Sequence, residues 1–259
     1  MPPAIDLPLD VPARVGAVPR PVPARVQRQA VIAFFCLPAA DPDDHELRYH
    51  APLAAAFVRG RLGRVAGEPD AATIARGLAG GLRLHKFKSQ TTLPRVRRVL
   101  GLLRGLAPST LLDVGSGRGT FLWPLLADRD PSLAALGVTT IDSDARRARD
   151  LGAVARGGVA RLAAARADVT ALPFVDAAFD AVTALEVLEH LPDPARAARE
   201  ALRVARRHVV VSVPSHDDDN PEHIQRFDAG ALEALLAGAG ARRVSIEHVL
   251  NHVIAVAAA

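Results

Sequence analysis

The chain has 259 residues, 49% of them hydrophobic, which suits one substantial core with an N-terminal appendage rather than two full domains. A net charge of +4 permits nucleic-acid binding without arguing for it, and only Lys86 and Lys88 among the 32 basic residues are lysines, the pattern of an Arg- and Ala-biased genome. The one cysteine, Cys36, rules out an intrachain disulfide and any cysteine-built metal site, and fits a reducing, cytoplasmic setting. The longest uninterrupted apolar run, Ala30–Leu37, falls far short of the ~20 residues needed to span a bilayer. Asp6, Asp10 and dense prolines precede it, which no signal peptide tolerates, so no membrane segment is expected.

Residues 1–44 are rich in proline and are expected to form an extended or disordered tail, pinned at most by Val31–Leu37. Residues 45–106 read as an N-terminal helical segment that helps build an acceptor or lid region. In it, Leu53, Phe57, Val58, Leu62 and Val65 recur at helical spacing, a second helix over Ala71–Leu78 starts after Glu68-Pro69-Asp70, and a third runs from Leu93 to Leu106 with Pro94 in its first turn. The core, 107–259, alternates strands and helices. Leu111–Val114, Gly137–Ile141, Ala165–Val169, Phe179–Leu185 and Val209–Val213 read as buried strands, with helices near 119–127, 143–156 and 194–206. That alternation predicts right-handed crossovers and a parallel sheet. After a helix near 228–238, Arg243–Val249 and His252–Ala257 are separated by a link too short for a crossover, so the last strand is expected to enter antiparallel.

Leu111-Leu112-Asp113-Val114-Gly115-Ser116-Gly117-Arg118-Gly119-Thr120 is a hydrophobic strand entering a glycine turn. Such a turn sits at the carboxyl end of a strand, where open α/β sheets bind ligands. Alone it suits either a dinucleotide or S-adenosylmethionine. A dinucleotide fingerprint places its third glycine where Thr120 stands, and Asp113 would repel a pyrophosphate but suits a cationic ammonium and sulfonium. Asp142, closing the next strand, can accept both hydroxyls of a ribose.

The turn Asp113–Gly119, the strand end at Asp142, Ala167-Asp168-Val169 and the Phe179-Asp180 strand together resemble class I S-adenosylmethionine-dependent methyltransferases over roughly residues 93–259. The resemblance implies a Rossmann-like α/β fold. Its seven-stranded sheet would have the order 3-2-1-4-5-7-6 with the last strand antiparallel, helices on both faces and the helical extension in front. It further implies a cofactor set of Asp113, Gly115, Ser116, Gly117, Gly119, Asp142, Ser143, Asp168, Val169 and Glu186. In that set Gly115 and Gly117 accommodate the methionine part, Asp142 holds the ribose, Asp168 the adenine amino group, and Val169 lies beside the ring.

Glu186-Val187-Leu188-Glu189-His190-Leu191-Pro192-Asp193-Pro194, after the fourth strand, resembles the ubiquinone-biosynthesis O-methyltransferase-like group. The loop after the fifth strand, from Pro214 to Phe227, should lie on the same edge. His190 or His223 suits a general base, with Glu186 beside them as a catalytic candidate. Glu186, Glu189, His190 and His223 equally suit a divalent metal, in a set that resembles the site of small-RNA ribose 2′-O-methyltransferases. A purely structural role for these residues is the third reading.

The leading expectation is therefore O-methylation of a small-molecule acceptor. A metal-dependent RNA ribose 2′-O-methyltransferase and a non-catalytic cofactor-binding domain are the alternatives. Glu186, Glu189, Asp217, Asp218, Asp219 and Glu222 make the expected rim acidic, which disfavours phosphates, while Lys86, Lys88, Arg95, Arg97 and Arg98 form a basic run before the sheet. One Trp and one Tyr offer no stacking surface for single-stranded RNA.

Overall fold

The computed structural model describes residues 50–88, 93–216 and 220–259. The tail 1–44, its expected pin at Val31–Leu37 and the rim acids Asp217, Asp218 and Asp219 lie outside the described residues.

Three helices precede the sheet: α1 (Ala51–Leu62), α2 (Asp70–Ala79) and α3 (Pro94–Leu106). Helix α3 starts on Pro94, whose missing N–H costs nothing in a first turn, and buries Val96, Val99, Leu100 and Leu103 on one face. Glu68 fixes the start of α2 by accepting from Thr73 Oγ1 and the Arg76 guanidinium. Helix α1 stops at Leu62 because Gly63 turns away at φ 84°, leaving Leu62 and Val65 44% and 53% exposed; neither continues the buried stripe that their spacing suggests.

The sheet follows as β1 (Thr110–Val114), β2 (Gly137–Asp142), β3 (Leu162–Arg166), β4 (Phe179–Leu185), β5 (Ala205–Pro214), β6 (Arg243–Val249) and β7 (His252–Ala258). Its order is 3-2-1-4-5-7-6, with β7 antiparallel to both neighbours and the other pairs parallel. The crossover helices are α4 (Leu122–Ala127), α5 (Pro131–Ala134), α6 (Ala145–Arg156), α7 (Pro194–Val204) and α8 (Ala229–Gly238). Asp144, Asp193 and Asp228 cap α6, α7 and α8 by accepting first-turn backbone N–H groups.

Strand β3 differs from the expected Ala165–Val169. Pairing with β2 runs from Val138↔Leu162 to Asp142↔Arg166, so the ladder takes the alanine run and releases Ala167–Val169 at the sheet's carboxyl edge. Two cores flank the sheet. Leu111, Val138, Ala181, Val210 and Ile254 face α1, α3, α4 and α6, while Leu112, Val182, Val211 and Val253 face α7 and α8. Among the described residues of 45–106, α1 docks along α6 at the flank, and α3 reaches the carboxyl edge of the central strands. Among the described residues no helix is long and apolar enough to cross a membrane.

Candidate active site

A cleft of about 660 Å³ opens at the carboxyl ends of β1, β2, β4 and β5. Its floor is the glycine turn. Gly115 (φ 68°) donates its N–H to Ile141 O, and a Cβ there would stand 2.7 Å from Val187 Cγ2. Gly117 (φ 57°) opens onto the cleft and donates to Asp142 Oδ2 at 3.0 Å. Gly119 behaves differently from its neighbours and is not a cleft residue: it is buried, and its bare Cα admits the Trp123 ring, which would lie 2.1 Å from an added Cβ. Its glycine requirement is one of packing, reinforced by Trp123 Nε1 donating to Arg118 O.

Asp113 sits beneath the turn, 2% exposed, accepting from Thr183 Oγ1 at 2.7 Å and from Ser116 Oγ, which also contacts Thr140 Oγ1. Burial pushes its carboxyl up to about 6; hydrogen bonds from Ser116 and Thr183 oppose that rise and the Asp142 charge adds to it. Asp142 uses one lone pair on each oxygen, for Gly117 N and Asp144 N, leaving each oxygen able to accept one more donor. Ser143 lines the cleft, and Asp168 commits Oδ1 to Thr170 N and Oγ1, with Val169 buried beside it.

The opposite end of the cleft holds Glu186, a non-glycine residue at φ 57°. Its Oε1 accepts from Ser212 Oγ at 2.7 Å, its Oε2 lies 3.2 Å from His252 Nε2, and Arg95 Nε stands 4.0 Å away. Burial alone would raise this carboxyl, but His252, Ser212 and the Arg95 charge hold it below the usual carboxylate range. Turned toward β5 and β7 in this way, Glu186 does not join the expected metal set. Among the described residues, potential ligand atoms of Glu189, His190 and His223 alone gather within 4.8 Å of one another. A 3-10 turn over Leu188–His190 brings these together, with Glu189 buried and His190 Nδ1 on Glu222 O at 2.9 Å. If Nδ1 carries the proton, Nε2 is left to accept a proton or a metal ion. The His190 and His223 rings meet edge to face at 4.7 Å.

Sequence reasoning missed Thr140, Thr183, Ser212 and His252. The signal for Thr183 and Ser212 was a hydroxyl flanked by apolar residues within a strand; for His252 there was none, because its partner is set by the β5–β7 register. The basic run is dispersed in space: Lys86 pairs with Asp150, Arg98 forks onto Glu247 at 2.7 Å twice, and Arg95 turns to Glu186. A second depression, of about 840 Å³, lies along α7, closed by Thr170–Leu172, Ala239 and Gly240, and contains none of the glycine-turn residues.

Residues 112–213 match the family model described as "Methyltransferase domain". Over 109 residues the chain is 35% identical to the 27-O-demethylrifamycin SV methyltransferase of Amycolatopsis mediterranei, covering 42% of this chain and 39% of that protein. The match thus spans about two fifths of that relative's length. Among solved structures, the N-terminal domain of EvdMO1 with S-adenosylhomocysteine and D-fucose shares 17% identity, covering 75% of this chain and 98% of that one at a TM-score of 0.54. A SAM-dependent methyltransferase from Aquifex aeolicus shares 21% identity over 66% of this chain and 92% of its own, at a TM-score of 0.50. The fold, the glycine turn and the acidic strand ends define a class I S-adenosylmethionine-dependent methyltransferase domain. Residues 112–213 carry the methyltransferase-domain match, and the sheet shares its fold with these structures.

Proposed function

We propose that the protein transfers the methyl group of S-adenosylmethionine to an oxygen of a small molecule. The observation that carries the reading is the single cleft joining two chemically distinct ends. One end offers Asp142 and Asp168 with acceptor capacity for a ribose and an adenine, and Gly115 and Gly117 to admit the methionine part. The other offers His190, Glu186, Asn220 and Glu222 to a methyl acceptor. The residues fit the cofactor: the buried Asp113 carboxylate complements its cationic end, and Ser116 and Ser143 add hydroxyls along the wall. When bound, the cofactor supplies an activated methyl on a sulfonium. The chain's own part is to orient the acceptor in line, exclude water and receive the acceptor's proton, for which His190 Nε2 is the candidate. The relative named for a 27-O-demethyl substrate supports oxygen as the methylated atom and a small molecule as its bearer.

The gathering of Glu189, His190 and His223 favours a second reading in which they hold a divalent ion that polarises the acceptor hydroxyl. Nucleic acid is disfavoured as acceptor by Glu186 and Glu222 lining the cleft and by the dispersal of the basic run. Incubating the protein with methyl-labelled S-adenosylmethionine and separate metabolite and RNA pools tests this reading. Label in a metabolite ether supports it; label in RNA alone, or no S-adenosylhomocysteine formed with either pool, overturns it.

A further inference from the structure

The depression of about 840 Å³ along α7 has an unbalanced charge. Arg196, Arg199 and Arg203 line it against a single acidic side chain, Glu200. That carboxylate is spent: Oε1 accepts from Arg203 Nε at 2.7 Å, and Oε2 accepts from Arg203 Nη2 and Leu172 N at 2.8 Å each. Arg203 is spent as well, since its remaining donors reach Phe174 O, Asp176 Oδ1 and Leu172 O. The two other arginines carry the excess.

Arg196 and Arg199 stand three residues apart in α7, so their side chains share a helix face. Arg196 commits Nε to Thr170 O at 2.8 Å and leaves its two Nη groups open. Arg199 is exposed, and among the described residues its guanidinium has no hydrogen-bond or ion-pair partner. Two further arginines stand beside the end of β7, whose Ala259 also lines the depression. Arg207 O accepts from Ala259 N at 3.0 Å, Arg242 N donates to Ala258 O at 2.9 Å, and neither guanidinium is paired among the described residues. A carboxylate on Ala259 would reduce this excess without cancelling it. His208 feels the charge: burial lowers its imidazole below the ordinary value, and Arg207 and Arg243 lower it further.

The depression has an apolar floor in Leu172 and Leu202, both buried. None of the described residues that line it is aromatic, so it offers no stacking surface to a nucleotide or a single strand. Open guanidiniums around an apolar floor are instead the make-up of a protein-docking patch, where arginine is enriched. We infer that this face of α7 docks an acidic segment of a partner protein, whose carboxylates meet Arg196 and Arg199. The depression and the cleft share no residue, so a docked partner leaves the cleft open. The inference goes beyond the methyltransferase reading and stands apart from it.

The experiment uses the full chain and a fluorescein-labelled decaglutamate peptide, read by anisotropy at low salt. Saturable binding is expected, and Arg199→Glu should weaken it by about tenfold, the loss of one charge-assisted contact. Arg196→Gln keeps a donor for Thr170 O and should weaken it in the same direction. Melting points that match the wild type will show that both variants are folded. Arg149→Glu makes the same change of charge on α6, across the sheet, and should leave peptide affinity unchanged. Equal weakening by Arg149→Glu, no binding at millimolar peptide, or a labelled thymidine decamer held more tightly by the same arginines overturns the proposal.

Discussion

The Gly117 N–H donates to Asp142 Oδ2 at 3.0 Å, tying the glycine turn after β1 to the acidic end of β2. One carboxylate therefore does two jobs: it holds the turn in a left-handed conformation and keeps acceptor capacity for a ribose. Asp142→Ala removes both, and each charge-assisted hydrogen bond lost to a ligand is worth roughly 1.5–3 kcal/mol. Calorimetry should find S-adenosylmethionine affinity lowered by about 10- to 150-fold with the fold retained. Unchanged affinity would remove Asp142 from the cofactor site.

On the proposed reading, Asp113 should make cofactor binding depend on pH. Its folded-state carboxyl lies at about 6, above the ordinary 3.8, so between those values the folded protein holds a proton that the unfolded chain releases. Stability should accordingly fall as pH rises from about 4 to about 6 and level off above, and Asp113→Asn should flatten that part of the profile. A cationic cofactor favours the ionised form. Its binding should release a proton near pH 5–6, so affinity should climb with pH through that window, and titrations in two buffers of different ionisation heat should count the proton.

The packing of α1 along α6 depends on two bare backbones in contact. A Cβ on Gly60 would meet Ala153 O at 1.9 Å, and one on Gly157 would meet Ala56 O at 1.7 Å. Backbone cannot step aside as a side-chain tip does, so Gly60→Ala and Gly157→Ala should each cost about 1–3 kcal/mol or more. Thermal melts should drop by several degrees for each. Gly101→Ala is the control: a Cβ there meets nothing within 4 Å, and its melting point should stay or rise.

How far the sequence reaches is visible in particular elements. The Phe179-to-Leu185 run is seven residues long, apolar but for Asp180 and Thr183, and β4 occupies those residues and no others. Helix α3 is equally plain, since Pro94 and a four-residue apolar stripe fix its start and its buried face. Strand β3 was harder, because Leu162-Ala163-Ala164-Ala165-Arg166 carries no β-branched residue and its register comes from β2 alone. The glycine turn is local, and Gly115 and Gly117 stand where the motif puts them. The separate tasks of Glu186 and Glu189 are not local. Three residues apart in sequence, they diverge because the backbone at Glu186 turns left-handed and the next residues wind into a 3-10 turn. The Glu186–His252 contact depends on a strand pairing that no spacing reveals.

The cluster of Glu189, His190 and His223 makes the last prediction, and three outcomes separate three roles. If the cluster holds a divalent ion, its ligands are one buried carboxylate oxygen and two imidazole nitrogens, a set that suits a borderline metal. Exhaustive chelation should then abolish turnover while leaving S-adenosylhomocysteine affinity intact, and calorimetry should detect manganese or zinc binding that Glu189→Gln and His223→Ala each weaken. If His190 accepts the acceptor's proton unaided, chelation should change nothing, whereas His190→Ala should cut turnover by about 10²- to 10⁴-fold. If the cluster only fastens the loop, as His190 Nδ1 does on Glu222 O, all three variants should keep full turnover, and His190→Ala should lose thermal stability instead. Measuring metal binding, turnover and melting on the same three variants distinguishes these cases, because the first moves metal binding with turnover, the second turnover alone and the third melting alone.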